Sequence, residues 1–310
     1  MSQTYLHRFI IPGIFILLWS SAFIATKFAT NHAPPLAILA VRMVIVVMLL
    51  GGWLLLRHGI AVFLSVGYRH WGIQGLVGLM IHCCYLGGVF FSIDRGMDVG
   101  LAALIVGLQP ILTAWLAAWM FKERLTIFSV TGLILGMIGL YIVVDSRFGI
   151  GSSMAINSAA MTTIVAALLG ISLATLLQKK AGQKGLMMFN TWLQYLFASC
   201  GFLIVSLATE EWVFNWHYEL IGSLAWMVFA ISLGAIPLLM LMIKAGEATR
   251  VASLFYLVTP ITALFAYLIF DEVLSLNSWL GMALVVFGVA LVVTPKEQFR
   301  FIFARFWLAK

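Results

Sequence analysis

Two stretches of this sequence share one pattern: AALIVGLQP at residues 102–110 and ASLFYLVTP at residues 252–260. They lie 150 residues apart, and after a one-residue gap residues 121–123 (FKE) align with residues 270–272 (FDE). The glycines that extend this alignment are Gly132 with Gly281 and Gly139 with Gly288. The chain therefore contains an internal repeat, and this repeat decides the fold.

The composition places the repeat in a membrane. Only 9% of the 310 residues are charged, against about 25% in an ordinary soluble protein, and 63% are hydrophobic. So few charges cannot cover a water-facing surface, which excludes a soluble, disordered or collagen-like chain. The three cysteines, Cys83, Cys84 and Cys200, lie in apolar runs and are too few for a disulfide scaffold.

Apolar runs long enough to cross a membrane occur ten times. A helix needs about 20 apolar residues to span the hydrocarbon layer. Two runs, residues 9–30 and 35–56, are interrupted only by Lys27 and Arg42, and two prolines separate them. The eight charge-free runs are residues 70–93, 99–121, 125–144, 148–178, 185–209, 220–243, 251–270 and 273–295. The sequence predicts an all-α integral membrane protein with ten transmembrane helices.

The distribution of positive charge predicts the orientation, because Lys and Arg accumulate on the cytoplasmic side. With the N-terminus inside, the inner segments carry fourteen cations and the outer segments only two, Arg95 and Arg147. Both termini are therefore predicted to be cytoplasmic. The net charge of +7 reflects this topology and contact with anionic lipid, so we expect no nucleic-acid partner.

Each repeat contains five predicted helices. Because five is odd, the two halves must cross the membrane in opposite directions, which predicts two inverted five-helix repeats. Inverted repeats serve alternating access, in which the halves move about a site near the membrane midplane. The predicted parts are a first repeat at residues 1–145, a linker at 146–157, a second repeat at 158–294 and a basic, aromatic cytoplasmic tail at 295–310.

Several of these residues resemble one transporter family. The segment LLWSSAFIATK at residues 17–27, Arg42 and the paired proline, glutamate and glycine blocks are similar to the drug/metabolite transporter superfamily, in particular its ten-helix EamA-type members. The resemblance covers about residues 10–294. It implies a multi-pass carrier in the inner (plasma) membrane that moves small organic metabolites and frequently exports amino acids. It does not identify the metabolite.

Two cations at membrane depth are candidate substrate-binding residues, since a charge at a helix centre costs about 2.5–3.5 kcal/mol on insertion scales. Lys27 lies near the outer end of helix 1, where it could bind a substrate carboxylate or extend to the interface. Arg42 lies about seven residues into helix 2. It could bind substrate, cap backbone carbonyls or hold an outer gate through an aspartate.

Aromatic and polar side chains predict the rest of a central cavity. His82 lies well inside a predicted helix, and Tyr85 follows on the same face. The two could line the cavity, and His82 could carry protons; a neutral histidine bonded to a neighbouring helix is the structural alternative. On helix 1, Trp19, Ser20 and Phe23 could form an apolar wall with polar handles, or only pack helices together.

The repeated prolines have polar neighbours. Gln109 precedes Pro110, and Tyr256 and Thr259 precede Pro260. A proline cannot donate to the carbonyl four residues earlier, which leaves that oxygen available to water, substrate or a hydroxyl. We expect Gln109, Tyr256 and Thr259 to bind substrate and the prolines to act as hinges, although static kinks would give the same pattern.

These features favour a secondary transporter that exports a small metabolite, an amino acid or derivative, by alternating access. The alternatives are uptake or exchange of a nucleoside, nucleotide sugar or adenosylated cofactor, an intramembrane lipid enzyme, and a lipid-binding assembly factor. The sequence has no phosphate-binding glycine loop, metal-ligand cluster or nucleophile motif, so we expect no catalytic residue, cofactor or metal. The expected partners are a small-molecule metabolite and membrane lipid, in a monomer or homodimer.

Overall fold

Helices make up most of the residues that the computed structural model describes, namely 10–121, 127–148, 157–181, 186–244, 248–272 and 275–293. The predicted linker falls largely, and the predicted tail wholly, outside these ranges. The helices of the first half are α1 (Ile11–Thr30), α2 (Pro35–His58), α3 (Tyr68–Asp94), α4 (Val99–Gly107 and Gln109–Phe121) and α5 (Ile127–Phe148). Those of the second half are α6 (Ser158–Ala181), α7 (Met187–Thr209), α8 (Tyr218–Ala225, Trp226–Ala235 and Ile236–Lys244), α9 (Ala248–Phe270) and α10 (Leu276–Val293).

Within the described ranges, seven helical spans are long and apolar enough to cross a membrane. They are Ile11–Thr30, Pro35–His58, Tyr68–Asp94, Val99–Met120, Ser158–Gln178, Met187–Thr209 and Tyr218–Leu239. Three further apolar helical segments are shorter: Val130–Val143, Leu257–Phe270 and Leu276–Leu291. The all-helical, membrane-capable fold predicted from the sequence is confirmed, whereas the number of ten spans stays a prediction.

The helices pack in a pattern that is unchanged when the two halves are exchanged. α2 packs against α7, α4 against α9 and α5 against α10, so three helices contact their own counterparts in the repeat. α1 packs against α8 and α9, and α6 correspondingly packs against α3 and α4. The centre of the molecule is therefore enclosed by helices from both halves.

Glycines of the repeat allow α5 and α10 to touch. A Cβ atom on Gly139 would lie 2.5 Å from the backbone oxygen of Gly281, and one on Gly281 would lie 2.6 Å from the backbone oxygen of Gly139. Gly288 approaches the backbone oxygen of Gly132 equally closely, at 2.6 Å. Close approach of this kind is a general device for packing helices in lipid.

Both halves also contain a π-helical segment, at Leu79–Leu86 in α3 and Trp226–Ala235 in α8. Their first residues lie 147 positions apart, close to the repeat offset of 150. π-Helical turns inside α-helices are frequent at functional sites. The first segment contains His82 and the second contains Ser232, and both residues contribute to the site described below.

The two repeated prolines lie in different local structure. α4 is interrupted at Leu108 and resumes at Gln109, so that Pro110 is the second residue of its second piece, whereas Pro260 lies inside the continuous helix α9. At the interruption the Leu108 N–H donates to the carbonyl of Ile105, and the Leu108 carbonyl accepts from Leu112. The role of either proline as a hinge stays a prediction.

Candidate binding cavity

A cavity of about 520 Å³ lies between the two halves. Helices α1 to α4 and α6 to α9 all contribute to its lining, which is mostly apolar. The polar groups on its wall come from Trp19, Thr26, Arg42, His82, Tyr85, Gln109, Thr175, Gln178, Thr191, Gln194, Tyr195 and Thr259. Small-molecule sites typically combine this volume, an apolar wall and a few polar groups.

The structure brings most of the predicted binding residues to this cavity. Those on its wall are Trp19, Phe23, Arg42, His82, Tyr85, Gln109 and Thr259, with the predicted hinge residue Pro110. Ser20, Lys27 and Pro260 are not among the residues that line it. The side chain of Tyr256 lies outside the described part of the chain. Whether the lining residues bind substrate stays a prediction.

Arg42 carries its charge into the cavity wall. The residue is only 4% exposed, and its Nη2 atom donates to the Ser232 hydroxyl at 3.0 Å. Its Nε atom is buried without a hydrogen-bond partner among the described residues. An arginine side chain is always charged in a protein, so this site has a fixed positive charge.

His82 lies on the wall beside Tyr195. The two rings stack with their centroids 4.6 Å apart and an interplanar angle of 23°. His82 is 7% exposed and Tyr195 is 1% exposed, so each ring is held by its surroundings in one orientation. An aromatic shelf formed in this way fixes one side of the cavity close to Arg42.

A second aromatic group, on α1 and α9, forms an apolar part of the cavity wall. Trp19 contacts Phe15 at a centroid distance of 5.3 Å and Phe255 at 5.4 Å, the latter edge to face at 88°. Phe15 is fully buried and supports the other two from behind. This arrangement presents a rigid apolar wall to a ligand.

Two polar contacts between lining residues of different helices are neutral. The Gln109 amide donates from Nε2 to the Thr175 hydroxyl at 3.1 Å, joining α4 to α6. The Thr259 hydroxyl donates to the Ala103 carbonyl at 3.4 Å, joining α9 to α4. These groups can orient a polar ligand by hydrogen bonds, but they carry no charge.

Sequence reasoning did not identify several lining residues of α6 and α7. Thr175 and Gln178 lie three positions apart, as do Thr191 and Gln194, with Tyr195 next to the second pair. Polar residues at helical spacing inside charge-free spans were the available signal.

Lys27 belongs to a separate group of contacts, where the α1–α2, α3–α4, α7–α8 and α9–α10 junctions meet. Its Nζ atom lies 3.7 Å from a carboxylate oxygen of Glu272. Glu272 also accepts hydrogen bonds from the backbone N–H groups of Val99 at 3.0 Å and Gly100 at 3.3 Å, at the start of α4. A carboxylate in this position suits the positive end of the helix dipole.

Glu210 caps the start of α2 in the same group of contacts, as Glu272 caps the start of α4. It accepts from the backbone N–H groups of Leu36 at 3.1 Å and Ala37 at 2.8 Å. Burial raises the pKa of Glu210, and the two backbone hydrogen bonds lower it in part. His32 and Glu219 add a contact at 2.8 Å. We call Lys27, His32, Glu210, Glu219 and Glu272 the junction cluster.

Comparisons with known proteins agree with this architecture. The model of the EamA-like transporter family matches residues 10–145 and 158–294. The uncharacterized transporter YvbV of Bacillus subtilis (strain 168) is 27% identical over 290 residues, which cover 91% of this chain and 90% of the relative. A probable amino-acid metabolite efflux pump of Escherichia coli (strain K12) is 24% identical over 284 residues, which cover 88% of this chain and 90% of the pump.

A second probable amino-acid metabolite efflux pump, from Salmonella typhimurium, is 28% identical over 152 residues, about half of each chain (49% and 47%). A solved structure described as "Crystal structure of protein" has a TM-score of 0.59 at 19% identity, covering 91% of this chain and 94% of that one, and it shows the same fold. Because the family model covers both halves, this integral membrane protein belongs to the EamA-like transporter family.

Proposed function

We propose that the protein is a secondary transporter that exports a small metabolite, an amino acid or derivative, by alternating access. The observation that carries this proposal is the cavity of about 520 Å³ enclosed by helices from both halves. A cavity between two similar halves can become accessible from either side when the halves move relative to one another.

The proposed topology has ten transmembrane helices in two inverted repeats. The protein would lie in the inner (plasma) membrane, with both termini in the cytoplasm. The odd number of helices in each repeat and the excess of Lys and Arg in alternate loops support this topology. In this orientation the junction cluster lies at the outer end. Its contacts join the two halves there, through Lys27 with Glu272 and His32 with Glu219.

Export would require these outer contacts to separate after the cavity has taken up its ligand from the inner side. Gln178 near the end of α6 and Met187 at the start of α7 line the cavity, and their junction belongs to the inner end in the proposed topology. The described conformation therefore corresponds to a state with the outer end joined. Small ligands would enter from the inner side and leave when the junction cluster opens.

The choice of an amino acid or derivative is supported by the two relatives named as amino-acid metabolite efflux pumps. It is also supported by a cavity whose described lining has one permanent cation, neutral hydrogen-bonding groups and an aromatic wall.

Liposomes that contain the purified protein and are loaded with a panel of labelled metabolites test this proposal. They should release at least one amino acid or derivative faster than protein-free liposomes with the same load. Counterflow with ligand on each side would separate export from uptake or exchange. Release of no panel member, with or without a proton gradient, would contradict the proposal.

A further inference from the structure

Arg42 has a charge that the fold does not neutralise. Among the described residues that line the cavity, Arg42 alone carries a permanent charge, and none is an aspartate or glutamate. The ion pairs formed by described residues involve Lys27, His32 and Arg95, not Arg42. A positive charge in this position raises the electrostatic free energy of the empty cavity, and an anion would lower it.

The fold leaves hydrogen-bond donors of Arg42 unused. A guanidinium group has five N–H donors in a planar fork, and the Ser232 hydroxyl occupies one of its nitrogens. The buried Nε has no acceptor among the described residues, although a buried donor is normally satisfied. A carboxylate is the ligand that matches this fork, since its two oxygens can accept from two nitrogens at once.

We infer that Arg42 binds the carboxylate of the transported metabolite and that the preferred ligand is a net monoanion without a free ammonium group. This inference rests on the proposed function and specifies the substrate class of the same cavity. Candidate ligands of this class are carboxylic acids with an apolar side group, including amino acids whose nitrogen is acylated or replaced.

The ammonium group of a free amino acid meets no carboxylate among the described residues that line this cavity. The Gln109 amide and the Thr175 hydroxyl on the cavity wall are neutral. Transferring an ammonium ion from water to such a site costs free energy that neutral acceptors recover only in part. A carboxylate without the ammonium group avoids this cost and keeps the contact with Arg42. Its apolar part can pack on the wall formed by Trp19 and Phe255.

Transport of such a ligand moves one negative charge across the membrane in each cycle. A membrane potential that is negative inside therefore favours its export without a coupled ion. For a monovalent ion, 100 mV corresponds to an equilibrium gradient on the order of 50-fold. A zwitterion carries no net charge, so the potential would not drive its uncoupled transport.

The first test measures binding to the wild-type protein in detergent, so it does not depend on transport. Two matched series isolate the two charges: 3-phenylpropanoate, L-phenylalanine and 2-phenylethylamine; and 4-methylpentanoate, L-leucine and 3-methylbutylamine. In at least one series we expect the carboxylate to raise the melting temperature most, the amino acid less and the amine not at all. An amine that stabilises the protein as well as its matched carboxylate, or two carboxylates without effect, would overturn the inference.

The second test assigns the contact to Arg42. Arg42→Gln should weaken binding of the stabilising carboxylate about 10- to 100-fold, since hydrogen bonds to charged groups are among the stronger ones. Arg42→Lys should bind with intermediate affinity, because it keeps the charge and loses the planar fork. Arg57→Gln, at an exposed position on the same helix, is the matched control and should bind like the wild type. Equal affinity of Arg42→Gln and wild type would place the carboxylate elsewhere and overturn the assignment.

The third test separates this inference from the proposed function. Liposomes that contain the protein are loaded with 3-phenylpropanoate or L-phenylalanine, and a potassium diffusion potential is applied. Efflux from protein-free liposomes with the same load is subtracted. We expect a negative inside potential to accelerate release of the carboxylate and to leave release of the amino acid unchanged. Binding without any flux would contradict the transport proposal and leave the Arg42 contact intact. Flux that is faster for 2-phenylethylamine than for the carboxylate would support transport and overturn the substrate class.

Discussion

The two cations at membrane depth, Lys27 and Arg42, have opposite surroundings. Lys27 lies 3.7 Å from Glu272 and 5.5 Å from the centroid of the Phe270 ring, so the fold itself supplies its partners. Arg42 is more deeply buried, at 4% exposure, and has the Ser232 hydroxyl as its hydrogen-bond partner among the described residues. A charge at membrane depth therefore does not by itself identify a binding site. A charge that the fold leaves uncompensated is the stronger indicator.

An internal counter-charge beside Arg42 would give it the surroundings that Lys27 has. Ser232→Asp places a carboxylate where the hydroxyl now accepts from Arg42 at 3.0 Å. Because this carboxylate would compete with the ligand, we expect carboxylate affinity to fall about 10- to 100-fold while the protein stays folded. Titration calorimetry with 3-phenylpropanoate measures the change.

Ser232→Asn is the matched control, because it has the size of aspartate without its charge. The control should keep carboxylate affinity within a few-fold of the wild type. If Ser232→Asp binds the carboxylate as tightly as Ser232→Asn does, Arg42 is not the group that attracts it.

The converse change removes the counter-charge of Lys27. Glu272→Gln leaves Lys27 without its acid and weakens the hydrogen bonds to Val99 and Gly100. The Glu272 side chain is 8% exposed and that of Lys27 is 28% exposed, so we expect a loss of about 1–3 kcal/mol rather than the larger cost of breaking a fully buried pair. Thermal unfolding in detergent should show this as a melting temperature several degrees lower.

Glu211→Gln tests whether the effect is specific. Glu211 is an exposed acid near the α7–α8 junction, and its neutralisation should change the melting temperature by less than a degree or two. A Glu272→Gln protein as stable as Glu211→Gln would show that the junction cluster contributes little to the described state.

How far the sequence could predict this contrast depends on the distance along the chain over which each contact forms. The apolar runs predict the helices, because each run is a pattern of neighbouring residues. Lys27 and Glu272 are 245 positions apart in sequence, and only the packing of α9 against α1 brings them together. Nothing in the local pattern distinguishes the cation that has an acid from the one that lacks it.

A smaller difference on α1 has a geometric cause. From the sequence, Trp19, Ser20 and Phe23 are expected to share one wall of the cavity. In the structure the cavity stripe is Trp19, Ala22, Phe23 and Thr26, which is the i, i+3, i+4, i+7 pattern of one helical face. Ser20 is turned by about 100° from Trp19 and donates to the Val258 carbonyl. Since every residue nearby is apolar or small, hydropathy alone does not fix the rotation of the helix.

The junction cluster also differs from the cavity in its response to pH, because Arg42 does not titrate and Glu210 does. Burial is the larger cause that raises the pKa of Glu210, so the folded state holds its proton more tightly than the unfolded state. The resulting stabilisation is present at pH values below the ordinary glutamate pKa and is lost as the pH rises through the raised pKa. Glu210→Gln has no such titration. The melting temperature of wild type relative to Glu210→Gln should therefore fall as the pH rises through this acidic window.

Glu211→Gln again serves as the control, because its difference from wild type should show a flatter dependence on pH. If the melting temperature of wild type relative to Glu210→Gln instead rose with pH, the prediction would have the wrong sign. That outcome would mean that the hydrogen bonds from Leu36 and Ala37 outweigh burial at this carboxylate.

The smallest expected effect comes from a neutral contact in the cavity, and it tests whether charge is what separates Arg42 from its neighbours. Thr175→Val removes the acceptor of the Gln109 amide with little change of shape. A neutral hydrogen bond contributes about 0.5–1.5 kcal/mol, so carboxylate affinity should change at most about tenfold, and less than in Arg42→Gln. Thr162→Val, at an exposed position on the same helix, controls for the loss of a threonine hydroxyl. If Thr175→Val weakened binding as much as Arg42→Gln, the ligand would be held by the neutral network that joins α4 to α6, because no charge is lost in that substitution.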